Sequence, residues 1–309
     1  MVGHVSRLLD GSCPILSQVS PIVGRMSTLS PAEALSTPVD GVSVLGALSP
    51  SRASDFMTCP LLYRFRTIDR LPEPPSPAAV RGTVVHKVLE DLFDLPAAER
   101  TPDTARSMLE PAWAALQEAE PELAAMLPEE ERADWLTSCR AVLERYFTLE
   151  DPSRLEPAER ELYVESLLDS KLLLRGFIDR LEVAADGAVR ISDYKTGRAP
   201  GPGFEAKALF QMRFYALVTW RLRGVVPAML QLIYLGSGEV LRYVPDEADL
   251  RATERKLVAL WQAIRAAEES GDWRPSPSRL CSWCAHQSLC PAFGGTPPPL
   301  PERMPVAQG

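Results

Sequence analysis

The sequence predicts an α/β (α+β) protein, with paired strands set among long amphipathic helices. Three observations carry this expectation. Residues 172–197, LLLRGFIDRLEVAADGAVRISDYKTG, place roughly alternating apolar and β-branched residues on either side of Asp186-Gly187, a hairpin signal. A second pair of strand-like stretches, MLQLIYL and EVLRYV, flanks Gly236-Ser237-Gly238. Around them run segments with apolar residues at helical spacing, such as Leu250, Leu257, Leu260, Trp261 and Ile264.

A chain of 309 residues can bury a sizeable core as one large domain or two. No apolar run reaches the roughly 18 residues of a membrane span. The first 26 residues hold no sustained apolar stretch with a clean cleavage site, so no membrane partner and a cytoplasmic location are expected. The net charge of −8 argues against nucleic acid until its distribution is examined. Residues 88–170 hold 21 acids against 7 bases, whereas residues 52–87 hold 6 bases against 3 acids and residues 171–309 hold 18 against 14. The acidity belongs to one middle segment, so a nucleic-acid partner stays allowed.

In chain order, residues 1–47 are rich in Ser, Pro, Gly and Val without a period, which predicts a disordered leader. Ser49-Pro50-Ser51 reads as a helix start, and the helix breaks at Pro60. Arg52, Arg64, Arg66 and Arg70 make this segment basic; a solvated surface and a DNA-contacting one are both open readings. After the prolines at 72–75, Arg81-Gly82-Thr83 leads into a helix carrying His86, with the glycine expected just ahead of it. A lone helical histidine is ordinarily a packing residue. Residues 88–158 read as an acidic helical lobe with a scaffolding core of Trp113, Trp135 and Tyr146. Residues 159–168 read as a strand presenting Glu161, Tyr163 and Glu165 on one face, with Glu165 the candidate to reach a metal and solvent its plainer destination. A Gly/Pro loop at 201–203 precedes a helix ending at Gly224, on which Gln211 and Tyr215 stand one turn apart. Pro245-Asp246 opens a helix to about Glu269. Residues 274–292 read as a cysteine-cluster segment, and a disordered Pro-rich tail is expected over 293–309.

The chemistry concentrates on the first hairpin. A turn centred on Asp186 sets Asp179 opposite Asp193, and opposed residues have Cβ atoms only about 4.5–5.5 Å apart. Asp193 and Lys195 are two apart and share a face. Two acids and a lysine so placed suit a divalent cation; a surface ion pair between Asp179 and Arg180 is the bland alternative.

Gly176-x-x-Asp179-Arg180 followed by Asp193-x-Lys195-Thr196-Gly197, with Gly82-Thr83-x-x-His86 upstream and Gln211-x-x-x-Tyr215 downstream, resembles the RecB-type exonuclease family of the PD-(D/E)xK nuclease superfamily. The resemblance spans residues 48–292. It implies a restriction-endonuclease-like core, with a central mixed β-sheet flanked by helices, a helical insertion and a C-terminal cysteine segment. It makes 48–292 one nuclease domain with its catalytic core at 159–245. The implied activity is metal-dependent hydrolysis of DNA from an end, in repair or recombination, with Mg2+ or Mn2+. Asp179 and Asp193 match the metal-binding acids, Lys195 the catalytic lysine and His86 a further metal ligand. Gln211 and Tyr215 match a helix thought to organise the site and contact DNA. A non-catalytic DNA-binding subunit on the same scaffold is the alternative. No Gly-x-x-x-x-Gly-Lys phosphate loop is present, so unwinding would need a helicase or other repair partner.

Cys281-x-x-Cys284 with Cys290 close behind points, in a reducing compartment, to metal binding before disulfides. A fourth ligand is wanting. His286 would complete a Zn2+ site, and Cys59 would complete a 4Fe–4S cluster. The iron–sulfur subset that the chain resembles, including CRISPR-associated and AddB-like nuclease domains, places one cysteine before the core and three after it. That implies a structural 4Fe–4S cluster on Cys59, Cys281, Cys284 and Cys290, or a zinc-stapled DNA-binding protein on the alternative reading. Cys13 falls in the expected leader, and Cys139 reads as a small buried residue.

Overall fold

The computed structural model describes residues 44–74, 76–122, 127–201 and 205–301. The expected leader up to residue 43, Cys13 included, the 202–203 part of the Gly/Pro loop and the end of the tail lie outside the described residues. Six strands form one mixed sheet: β1 (Gly46–Leu48), β2 (Glu159–Leu167), β3 (Leu172–Val183), β4 (Val189–Lys195), β5 (Met229–Tyr234) and β6 (Glu239–Tyr243). β3 is its axis. β2 runs antiparallel along one side of β3 for most of its length. On the other side, β1 pairs in parallel with residues 172–174, and β4 pairs antiparallel with residues 180–183. Residues 175–179 of β3 therefore have no strand partner on that side, and the gap opens between β1 and β4. β5 continues the sheet parallel to β4, and β6 closes it antiparallel.

Helices cover both faces. The first core packs α1 (Pro50–Thr58), α7 (Glu205–Arg223) and α8 (Glu247–Ser270) on the sheet through Ala53, Phe214, Leu217, Leu250, Leu257 and Ile264. Phe214, Tyr215, Ala216, Leu217 and Val218 of α7 are all buried, the mark of a helix covered on every side. The helix joins parallel strands β4 and β5 and so forms the crossover such strands require. The second core packs α3 (Pro77–Leu92), α5 (Leu109–Ala119) and α6 (Glu129–Leu149) on the opposite face, against Tyr194, Ile233 and Leu235. Short helices α2 (Pro60–Tyr63) and α4 (Pro102–Ser107) complete the helical elements named here. Glu129, Glu130 and Glu131 occupy the first turn of α6, where acids favour the positive end of a helix. Cys139 is fully buried there. This is the expected mixed sheet between helices. Among the described residues no helix is long and apolar enough to cross a membrane.

Caps set several boundaries. Ser49 caps α1 with Pro50 in the first turn, and Cys59, with extended backbone, separates α1 from α2 at Pro60. Ser76 caps α3 by accepting from the Ala79 N–H, so the helix starts at Pro77 and Gly82 lies inside it, not ahead of it. Two disorder expectations also need correction. The strand β1 begins at Gly46, inside the stretch read as leader. Residues 293–301 of the expected tail lie on the body: Arg64 donates to the Pro298 carbonyl, and Leu300 approaches Gly271. Prolines restrict this segment without preventing it from packing.

Candidate active site

Three acids share one row across β2, β3 and β4. The β3–β4 ladder runs from Val183 opposite Val189 to Arg180 opposite Ser192, and the same register sets Asp179 opposite Asp193. No ladder pair forms there. The strands part, and Asp179 Oδ2 accepts the Tyr194 N–H at 2.7 Å, satisfying a backbone donor that the ladder has released. The β2–β3 ladder skips the same row, where Glu161 faces Asp179 in register. Glu161 has φ +43°, a left-handed conformation costing a non-glycine residue about 1–3 kcal/mol and common where function imposes strain. Along β3, Leu172, Leu174 and Ile178 face the first core, but so does Leu181, so the alternation slips at Asp179–Arg180. That slip lets Asp179 aim into the split between strands.

The flanking helices deliver the remaining groups. His86 on α3 lies with Nε2 3.0 Å from the Tyr194 carbonyl oxygen, which can only accept, so Nε2 carries the proton. Its Nδ1 lies 3.5 Å from Asp179 Oδ2 and 3.7 Å from Glu161 Oε1. From the other face, α7 presents Gln211, whose Nε2 donates to Asp193 Oδ1 at 2.7 Å. Lys195 Nζ donates to Gln211 Oε1 at 3.0 Å and lies 2.5 Å from Asp193 Oδ2. Asp193, Lys195 and Gln211 thus form a closed ring of polar contacts. Tyr215 packs over Gly176, where a Cβ would come within 2.8 Å of the ring, so only glycine admits the tyrosine. These groups border a cleft of about 690 Å³, with Tyr163, Arg175 and Phe177 along its outer wall.

His86, Asp179, Asp193, Lys195, Gln211 and Tyr215 all line this cleft. Glu161 was passed over for Glu165, which instead pairs across the strands with Arg175 and accepts from Tyr163 Oη at 2.8 Å. A legible signal existed: Asp169-Ser170 sits between two apolar runs, and a turn centred there puts Glu161 opposite Asp179.

The donor set fits a divalent cation. Ligand atoms of His86, Glu161 and Asp179 lie within 4.8 Å of one another, and Asp193 approaches Asp179 from the next strand. Imidazole and carboxylate suit Mn2+, and carboxylates suit Mg2+. Burial, and then the charge of Asp193, push the Asp179 carboxyl up to about 7. Burial opposes charge on His86, but Glu161 and Asp179 outweigh it and its pKa is raised. Without a cation, folded Asp179 keeps a proton that the unfolded chain releases. Its contribution to stability falls as pH rises from about 4 to about 7. A cation must displace that proton, so binding tightens with pH. Mn2+ is expected to raise Tm more at pH 8 than at pH 5.5 in a thermal-shift titration. Equal shifts at both would count against this donor set.

Behind the row, Arg180 is fully buried, and its partners correct the surface pairing considered for Asp179. It donates to Glu150 Oε2 and Oε1 at 2.7 and 2.8 Å, pairs with Glu182 Oε1 at 2.8 Å, and donates to the Tyr194 hydroxyl. Tyr194 lies between Asp193 and Lys195, and its backbone holds both Asp179 and His86. The network thus ties the end of α6 to the strand that carries the site.

A separate cavity of about 60 Å³ is lined by Cys59, Cys281, Cys284 and Cys290, between the α1–α2 junction and the C-terminal turns. Ser276 N–H donates to Cys59 Sγ at 3.4 Å and Ser278 N–H to Cys281 Sγ at 3.2 Å. Tetrahedral zinc, with Zn–S near 2.3 Å, would hold its sulfurs about 3.8 Å apart. Among the described residues, no three of these cysteines gather within 4.8 Å. His286 is buried, with Nε2 2.8 Å from Glu73 Oε1 and its ring against Phe65, so it is occupied away from the cysteines.

The sequence matches the family described as PD-(D/E)XK nuclease superfamily over residues 47–291. The Gene 69 protein of Mycobacterium phage D29 is 26% identical over 280 residues, covering 79% of this chain and 96% of that protein. The Gene 69 protein of Mycobacterium phage L5 is 28% identical over 123 residues, covering 39% of this chain and 40% of that one. A crystal structure of a protein named "Putative exonuclease" from Eubacterium rectale superposes with a TM-score of 0.52 at 12% identity, covering 78% of this chain and 87% of that one. At that identity the likeness bears on the fold alone.

Proposed function

The chain belongs to the PD-(D/E)XK nuclease superfamily, and from that premise we propose that it is a divalent-metal-dependent DNA exonuclease of the RecB type, stapled by a 4Fe–4S cluster. The observation that carries the catalytic reading is the row of Glu161, Asp179 and Asp193 at the split between strands, with Lys195 beside it. His86, Glu161, Asp179 and Asp193 would hold the cation. When bound, Mg2+ or Mn2+ supplies Lewis acidity toward the scissile phosphate. Lys195, fixed between Asp193 and Gln211, would hold the attacking water and offset charge developing on the phosphate oxygens. Gln211 is a positioning residue for both, and Tyr215 walls the cleft. His86, oriented by the Tyr194 carbonyl, would turn Nδ1 to the cation and release any proton there on binding.

The cluster reading rests on the four cysteines, Cys59, Cys281, Cys284 and Cys290, lining one cavity. Such a cluster would join the α1–α2 junction to the C-terminal turns and hold the fold closed around the cleft. Replacing Cys290 with Ser is expected to remove the visible absorption of cysteine-ligated iron and lower Tm. A colourless wild-type protein carrying zinc would overturn the cluster. A role in repair or recombination, in the cytoplasm and beside a helicase partner, completes the proposal. Its activity is tested by anaerobic purification followed by digestion of end-labelled single- and double-stranded DNA with Mg2+ or Mn2+. Mononucleotides or short oligonucleotides released from an end are the expected result. An intact substrate set with cluster-replete protein overturns the proposal.

A further inference from the structure

Two residues further along β2 and β3 from the acids, about 6.5–7 Å away, Tyr163 stands opposite Phe177. Both are large aromatics left open to solvent, Tyr163 by 46% and Phe177 by 55%. Their ring centroids lie 5.2 Å apart with planes tilted by 57°. Cross-strand aromatic pairs commonly stabilise sheets, but this one lies in the wall of the cleft that holds Asp179, Asp193 and Lys195. Two residues further again, Arg175 stands opposite Glu165, and Arg175 also borders the cleft. Burial, and then the neighbouring charge of Arg175, hold the Arg52 guanidinium below its ordinary value, so positive charges crowd at this end. Along β3, Asp179, the open ring of Phe177 and the guanidinium of Arg175 follow one another at every second residue and border one cleft.

We propose that Tyr163 and Phe177 are a base-stacking shelf for an unpaired nucleotide, making the preferred substrate a single-stranded DNA end. This rests on the nuclease reading of the same cleft. An aromatic face accepts a base only when that base is free of its duplex partner and neighbours, and such stacking tolerates any base. With one base on the shelf, the adjacent phosphate reaches the acid row, and the phosphate on the far side meets Arg175. The shelf therefore selects for strand state and not for sequence.

The test uses full-length protein with Ca2+, a single strand carrying 2-aminopurine near its end, and the matching duplex. Wild-type protein is expected to bind the single strand and change its fluorescence. Phe177→Leu should weaken single-strand binding about tenfold and lose the fluorescence change, leaving duplex binding within about twofold. Phe177→Trp should preserve both signals. Phe177 is more than half exposed, so the substitution tests binding and not folding; far-UV circular dichroism checks this. Unchanged single-strand affinity and fluorescence in Phe177→Leu would overturn the shelf. So would wild-type protein that cleaves DNA in a parallel digestion with Mn2+ but leaves 2-aminopurine unperturbed with Ca2+, and that outcome spares the nuclease reading. Wild-type protein that neither binds nor cleaves any DNA removes the nuclease reading itself.

Discussion

Lys195→Ala is expected to lower the rate of DNA cleavage by about 10³-fold, within the range for losing one preorganised electrostatic group. The ammonium has two fixed contacts, Asp193 and Gln211, and is itself only partly buried, so its removal leaves the core intact. Asp193→Asn should lose cleavage to a similar or greater extent. It removes a ligand charge and breaks the ring that holds Lys195. Both variants should remain folded and largely keep DNA binding, Lys195→Ala with a lowered Tm because it leaves the buried Asp193 carboxylate without its cation. Asp193 is almost wholly buried, and an amide still accepts from Gln211 Nε2. The decisive reading is the pair of numbers, rate and Tm, on one preparation. Substantial cleavage by Lys195→Ala, or unfolding of both variants, would remove these residues from the chemistry.

Arg180→Met has the opposite signature. It leaves Glu150 and Glu182 facing a buried space without their cation, a change costing about 3–5 kcal/mol. A fall in Tm of roughly 10 °C is expected for a domain of this size. The effect reaches the site because Arg180 grips Tyr194, whose backbone contacts Asp179 and His86. Combining Arg180→Met with Glu150→Gln should recover part of the loss, since one stranded charge is gone. Additive losses in the double variant would show that the network does not act as a unit. Thermal unfolding of the three variants decides between these outcomes.

These two variants also divide what the sequence discloses from what it hides. The facing of Asp179 and Asp193 is legible because Asp186-Gly187 fixes a tight turn midway between them. Lys195 follows from strand alternation, and Gln211 and Tyr215 from their spacing on a helix. The burial of Arg180 is not legible, because a charged residue beside a turn-proximal acid ordinarily faces water. Its partners come from the end of α6, from β3 and from β4, and no local pattern announces them. Glu161 was hidden for a different reason. Simple alternation groups it with Tyr163 and Glu165, while its positive φ and the slip at Asp179–Arg180 set it apart from that face. Pro298 and Leu300 contact the body in a proline-rich segment, because proline content says little about whether a segment packs. The four cysteines were legible as a set, but that they border one cavity depends on the α1–α2 junction meeting the last turns of the chain.

Crystals grown with Mn2+ test the cation centre most directly, through the manganese anomalous signal. The expected map has density between His86 Nδ1 and the carboxylates of Asp179 and Asp193, with Glu161 at its edge. Density confined to the cysteine cavity, or none in the cleft at millimolar Mn2+ and pH 8, would contradict it.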